Sequence, residues 1–156
     1  MAEDAGIKVE TTKNAEHERS DAEANPLQKF FLFASWFISF SGWVIYLAGV
    51  CLFQNSCQQV GTNAIDCARQ FALDWWNCWL AFVAIIVYLA PFFTVSWYKT
   101  RVAVVAYMVI VISQLTAQTN FIIQQSSRDT NENVFISGSI IMQAGFYFAI
   151  LVLGIY

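Results

Sequence analysis

Residues Val102–Ile123 read "VAVVAYMVIVISQLTAQTNFII". No charged side chain interrupts the run. At 1.5 Å per residue a helix of this length crosses the roughly 30 Å hydrocarbon core of a bilayer. Its second half nevertheless carries Ser113, Gln114, Thr116, Gln118 and Asn120. Amides and hydroxyls are costly in hydrocarbon unless they find partners. What this stretch is decides the fold, and what its polar half does is the functional question.

Working outward, three further stretches also lack charge: Phe30–Phe53, Trp75–Tyr98 and Val134–Tyr156. The whole chain is 58% hydrophobic and 12% charged, where an ordinary soluble domain is about a quarter charged. Four such runs as soluble core helices would leave almost no polar face for water. Barrel strands would be shorter, more numerous and alternating in polarity. The expected fold is therefore an all-α integral membrane protein: a four-transmembrane-helix bundle with short loops and a polar N-terminal tail. The spans are expected at about 30–53, 75–98, 102–123 and 134–156, within a membrane domain covering 29–156.

Residues 1–28 form an acidic tail, with Glu3, Asp4, Glu10, Glu16, Glu18, Asp21 and Glu23 and few apolar side chains. Such a composition cannot build a core, so the tail is expected to be flexible or docked on a partner. The first apolar run is too long for the core of a signal peptide, and no lipidation pattern is expected to anchor either end. Lys8, Lys13, Arg19 and Lys29 precede the first span, and Lys99 and Arg101 lie between the second and third. The opposite connections hold only Arg69 and Arg128. Basic residues favour the cytoplasmic side, which predicts both termini, Lys8 and Lys99 in the cytoplasm, and Asn63 and Asn131 outside. Localisation is thus read as multi-pass, in the plasma membrane or an endomembrane or vesicle.

All four cysteines gather at the predicted outer end, where disulfides persist. Four cysteines allow three connectivities. A Cys57–Cys67 bridge across the short first loop is preferred, leaving Cys51 and Cys78 as free core thiols or as a nested second bridge. No C-x₂-C pair or neighbouring histidine suggests zinc.

Catalytic chemistry is hard to assemble from this chain. Its one histidine, His17, lies in the tail. No Asp, Glu, Lys or Arg lies inside an expected span, so no proton relay can be drawn there. Asp74 reads as an N-cap of the second helix. No phosphate loop or nucleophile elbow is present. The expectation is a non-enzyme without metal or organic cofactor, with structural lipid as its companion and no role for nucleic acid. Trp75, Trp76, Trp79, Trp97 and Tyr98 read as an interfacial belt at the ends of the second span. Pro91 is expected to kink the second helix.

On a 3.6-residue helix Ser113, Thr116, Asn120 and Gln124 fall near one stripe, with Gln114 and Gln118 beside it. The fourth span brings Gln143 to bilayer depth, together with Gly138 and Gly145 one heptad apart. The first supplies Ser35, Ser39, Gly42 and Gly49 at spacings of three, four and seven. Small residues on one face allow close helix approach, and amides then bond across the contact. Interhelical adhesion is the simplest reading. A partner-binding groove and a polar conduit are the alternatives.

The segments "FFLFASWFISFSGWVIYLAG" and "GSIIMQAGFYFAILVL", with a cysteine loop after the first, resemble the MARVEL-type tetraspan proteins, which include synaptogyrins and occludin. The likeness covers about 27–156 and rests on topology and texture. It departs from that group in lacking a long tail after the fourth span. The Cys57 and Cys67 spacing is also similar to that of claudin first loops, but the Trp-Leu-Trp element of those loops is absent. The MARVEL resemblance implies a non-enzymatic role in organising membrane domains or complexes. The functional expectation is a structural or accessory subunit or membrane-domain organiser, packing through its helices on a larger membrane complex or on its own copies. A small channel or carrier using the third helix is the alternative.

Overall fold

The computed structural model describes residues 26–59, 69, 71–93, 97–125 and 130–154. Four helices account for nearly all of them: α1 (Pro26–Gln59), α2 (Ala72–Phe93), α3 (Trp97–Gln125) and α4 (Thr130–Gly154). There is no strand among the described residues. Each helix is long and apolar enough to cross a membrane. Residues 1–25 of the acidic tail, Cys67 and the loop residue Asn63 lie outside the described residues.

α1 and α3 outrun their charge-free stretches at both ends because hydropathy stops before helix propensity does. α2 instead ends at Phe93, and Trp97 and Tyr98, expected to close the second span, open α3. Pro26 suits a first helical turn, where its missing N–H has no intrahelical partner in any case. α1 therefore starts inside the stretch assigned to the tail. At its other end the polar Gln54–Gln59 segment continues as helix. At 34 residues α1 is about 50 Å long on helical rise, well beyond a hydrocarbon core. α2 and α4 carry an acid in their first turns, Asp74 and Glu132, where negative charge suits the helix dipole. α2 continues through Pro91.

Neighbours in sequence pack side by side, and α4 closes the ring against α1. That closing contact is the most intimate in the molecule. Buried positions recur at Leu32, Ser35, Ser39, Gly42, Tyr46 and Gly49 on α1, and at Phe135, Gly138, Met142, Gly145 and Ala149 on α4. Alternating steps of three and four on both helices make an antiparallel heptad seam. A Cβ added at Gly138 would stand 2.3 Å from Tyr46 N, and one at Gly42 would stand 2.4 Å from Met142 N. The two backbones touch, which only residues without a side chain permit. All six small residues expected to line packing faces are therefore in one seam, facing each other.

The lateral surface is apolar. Between 28% and 44% of each span is buried, so most side chains must meet an apolar medium or another protein. Phe30, Phe33 and Phe37 stand out from α1 and Trp76 and Trp79 from α2. Phe33, Trp36, Phe40 and Trp43 stack along α1 with ring centroids 5.4–6.0 Å apart. Trp36 and Trp43, one heptad apart, donate their indole N–H groups to Ile85 O (3.2 Å) and Cys78 O (3.0 Å) of α2. Half-buried rings thus tie α1 to its neighbour.

Candidate functional site

Among the described residues, polar side chains inside the bundle form three groups, each at a helix contact. Near the Pro26 end, Tyr88 Oη of α2 donates to Leu32 O (2.9 Å) and meets Ser35 Oγ. Close by, Gln28 Nε2 donates to Val152 O at 3.3 Å, tying the start of α1 to the end of α4.

The second group joins α3 to α4. Thr116 Oγ1 donates to Gln143 Oε1 at 2.8 Å, and Thr119 Oγ1 lies 2.7 Å from Ser139 Oγ. Gln143 Nε2 completes the set by donating to Ser139 Oγ at 3.0 Å.

The third group, toward the end holding the cysteines, centres on Gln118. Its Oε1 accepts from Tyr46 Oη of α1 (3.0 Å) and from Asn77 Nδ2 of α2 (2.5 Å). Its Nε2 donates to Asp74 Oδ1. One amide of α3 so engages two other helices. The group borders a cleft of about 380 Å³, which Phe53, Phe71, Phe121 and Glu132 also line. Two polar atoms there are buried without a hydrogen-bond partner, Asn77 Oδ1 and Glu132 Oε2.

The residues "SQLTAQTN" are therefore not one stripe with one purpose. Gln118 and Thr119 are buried, whereas Ser113, Gln114, Thr116 and Asn120 are exposed. Thr116 still reaches Gln143 from the edge of its contact. Asn120 accepts a long bond from Gln124 of its own helix (3.5 Å), and Gln143 is satisfied by Thr116 and Ser139 instead. Asp74 is not an N-cap: α2 starts at Ala72, so Asp74 sits in the first turn and spends its carboxylate on Gln118. Tyr46, Asn77, Thr119 and Ser139 are interior polar partners that the sequence pattern did not single out. Tyr46 had a signal, since it continues the step of Ser39 and Gly42 by four; Asn77 lies one turn after Asp74.

Cys51 and Cys78 are free thiols, and Cys57 is not. Cys51 is exposed rather than in the core, while Cys78 is buried. The expected Cys57–Cys67 pairing falls partly outside the described residues. Trp75 is half-buried and donates to Gln54 Oε1 at 2.7 Å, so it braces two helix ends, whereas Trp76 and Trp79 face outward as a belt would. The side chains of Trp97 and Tyr98 lie outside the described set. Among the described residues no cluster of His, Cys, Asp and Glu could hold a metal.

The chain matches no known family model, no curated protein and no solved structure.

Proposed function

We propose that this protein is a non-enzymatic tetraspan membrane protein, a structural or accessory subunit that packs through its lipid-embedded helices on a larger membrane complex or on its own copies. The observation that carries the reading is the contrast between the two sides of the bundle. Inside, hydroxyls and amides are spent on contacts between the protein's own helices. Outside, α1 presents Phe30, Phe33 and Phe37, each more than half exposed, along the longest and least buried of the spans. A contiguous exposed apolar surface is what a partner helix or lipid needs. The MARVEL-like layout agrees with such a role in organising membrane domains.

Basic residues fit a bundle with both termini in the cytoplasm. Gln28 bonds Val152 at one end and Asn131 bonds Ser56 at the other, so Lys29 and Arg101 share the Pro26 end while Arg69 belongs to the opposite one. The conduit alternative has less support, because the polar residues of α3 divide among an internal amide cluster, the α4 contact and the surface.

The test is native mass spectrometry after extraction in a mild neutral detergent, comparing the wild type with Phe33→Ala/Phe37→Ala. A defined stoichiometric complex, hetero or homo, that the double substitution dissociates while the bundle keeps its thermal stability is the expected result. A monomer that shows substrate flux in vesicles would overturn the proposal in favour of a carrier.

A further inference from the structure

We propose that the cleft beside Gln118 binds a protonated primary amine carried on an apolar chain. The cationic head lies among Asp74, Asn77 and Glu132, and the chain lies against Phe53, Phe71 and Phe121. This assignment is independent of the accessory role, which concerns the lateral surface of the bundle.

The unmatched acceptors of the cleft lead to it. Gln118 Nε2 donates to Asp74, Asn77 Nδ2 and Tyr46 Oη donate to Gln118 Oε1, and the exposed Gln114 is the other amide on the wall. Two buried acceptors still stay unmatched. Asn77 is 2% exposed and lines the cleft, yet its Oδ1 has no partner. Glu132 Oε2, on α4, is likewise buried and unpartnered. A buried acceptor without a donor is unfavourable, and a carboxylate oxygen more so. Among the described residues, two acids and no Lys, Arg or His line the cleft. An occupant matched to these acceptors and acids brings N–H donors and positive charge.

An ammonium head supplies three donors and one charge. A quaternary ammonium would bring charge but no donor. A hard metal ion would want six or more oxygen ligands, and the described residues hold no suitable group for one. Apart from Gln114, the rest of the lining is apolar and largely aromatic, fit for an alkyl chain and for contact between a cation and ring faces. A volume of about 380 Å³ admits a head and a short chain, near the lower bound of small-molecule sites.

Three octyl probes separate the possibilities on the full chain in a neutral detergent: octylammonium, octyltrimethylammonium and octanol. Calorimetric titration should show saturable binding of octylammonium, with the other two at least about tenfold weaker, the scale of a charge-assisted hydrogen bond. Glu132→Gln should weaken octylammonium by about the same factor. That residue loses no partner with its Oε2, so the fold should survive, which circular dichroism checks. Asp74→Asn is the second variant, and its retained oxygen can still accept from Gln118. Equal binding of all three probes would reduce the site to a greasy cleft and overturn the proposal. So would absent octylammonium binding, or affinity unchanged in both variants. Nanodiscs of phosphatidylcholine with added phosphatidylethanolamine then identify the source. Selective retention of the aminolipid by wild type over Glu132→Gln assigns a lipid head. Equal retention, with octylammonium still bound, assigns a free amine.

Discussion

Gln118 carries more of the interior bonding than any neighbour in "SQLTAQTN", because both ends of its amide are engaged by other helices. Gln118→Leu removes bonds worth roughly 0.6–1.7 kcal/mol each in membrane proteins, strands Asn77 Nδ2 and leaves Tyr46 Oη only its long bond to Asp74 O. The expected loss is about 1–3 kcal/mol, read as a lower midpoint in detergent-mediated unfolding. Asn120→Leu, at an exposed site bonded only within its helix, should shift that midpoint by less than about 0.5 kcal/mol. Equal effects of the two would contradict a buried, cross-bonded Gln118 beside a surface Asn120. The Gln118→Leu/Asn77→Leu pair should be less than additive, since the first change already strands the second residue. The sequence singles out Gln118 as a polar residue needing a partner. It does not say which partner, because cross-helix pairing depends on the register between helices, and periodicity along one helix carries no register.

At the scale of the helix, the α1–α4 seam was half legible. The spacing of Ser35, Ser39, Gly42 and Gly49, and of Gly138 and Gly145, marks two small-residue faces. That they pack against one another is tertiary information, as either face could have met a different helix. The seam gives a sharp comparison. Gly138→Ala puts a methyl against backbone atoms of Tyr46, which cannot yield as a flexible side chain would. About 1–3 kcal/mol of destabilisation is expected from such overpacking. Gly154→Ala, with nothing within 4 Å of the added atom, should be neutral within about 0.5 kcal/mol. Matched melting curves of the two variants would count against backbone contact. Helix ends were read less well than helix faces. Gln54, Ser56 and Cys57 belong to α1 although they fall beyond its apolar run, so a Cys57–Cys67 bridge would start from helix rather than loop. Non-reducing peptide mapping should recover these two cysteines linked and Cys51 and Cys78 alkylated. Recovery of Cys57 and Cys67 as free thiols would exclude the pairing.

For the whole molecule, the ring of antiparallel helices fixes which residues share an end but leaves open which end faces the cytoplasm. The sequence bias of Lys and Arg predicts the sign: Lys8, Lys13, Arg19, Lys29, Lys99 and Arg101 precede the first span or join the second to the third, and the other two connections hold only Arg69 and Arg128. Such a bias retains the basic side in the cytoplasm during insertion. Single cysteines placed in a cysteine-less background at positions 8, 63, 99 and 133 make this testable on intact cells. Asn133 is the better reporter for the second outer turn, because Asn131 is half-buried and donates to Ser56 Oγ at 2.9 Å. A probe at Asn131 would break a bond between α1 and α4 and change what it reports on. An impermeant maleimide should label positions 63 and 133 before lysis, and positions 8 and 99 only after it. Labelling of 8 and 99 on intact cells, with 63 and 133 protected, would invert the protein in its membrane. The cysteine end, with the amine cleft beside it, would then face the reducing cytoplasm, where a Cys57–Cys67 disulfide would not persist. The topology result and the peptide map must therefore agree, and a bridged pair on an inward-facing end would refute the orientation assigned from the basic residues.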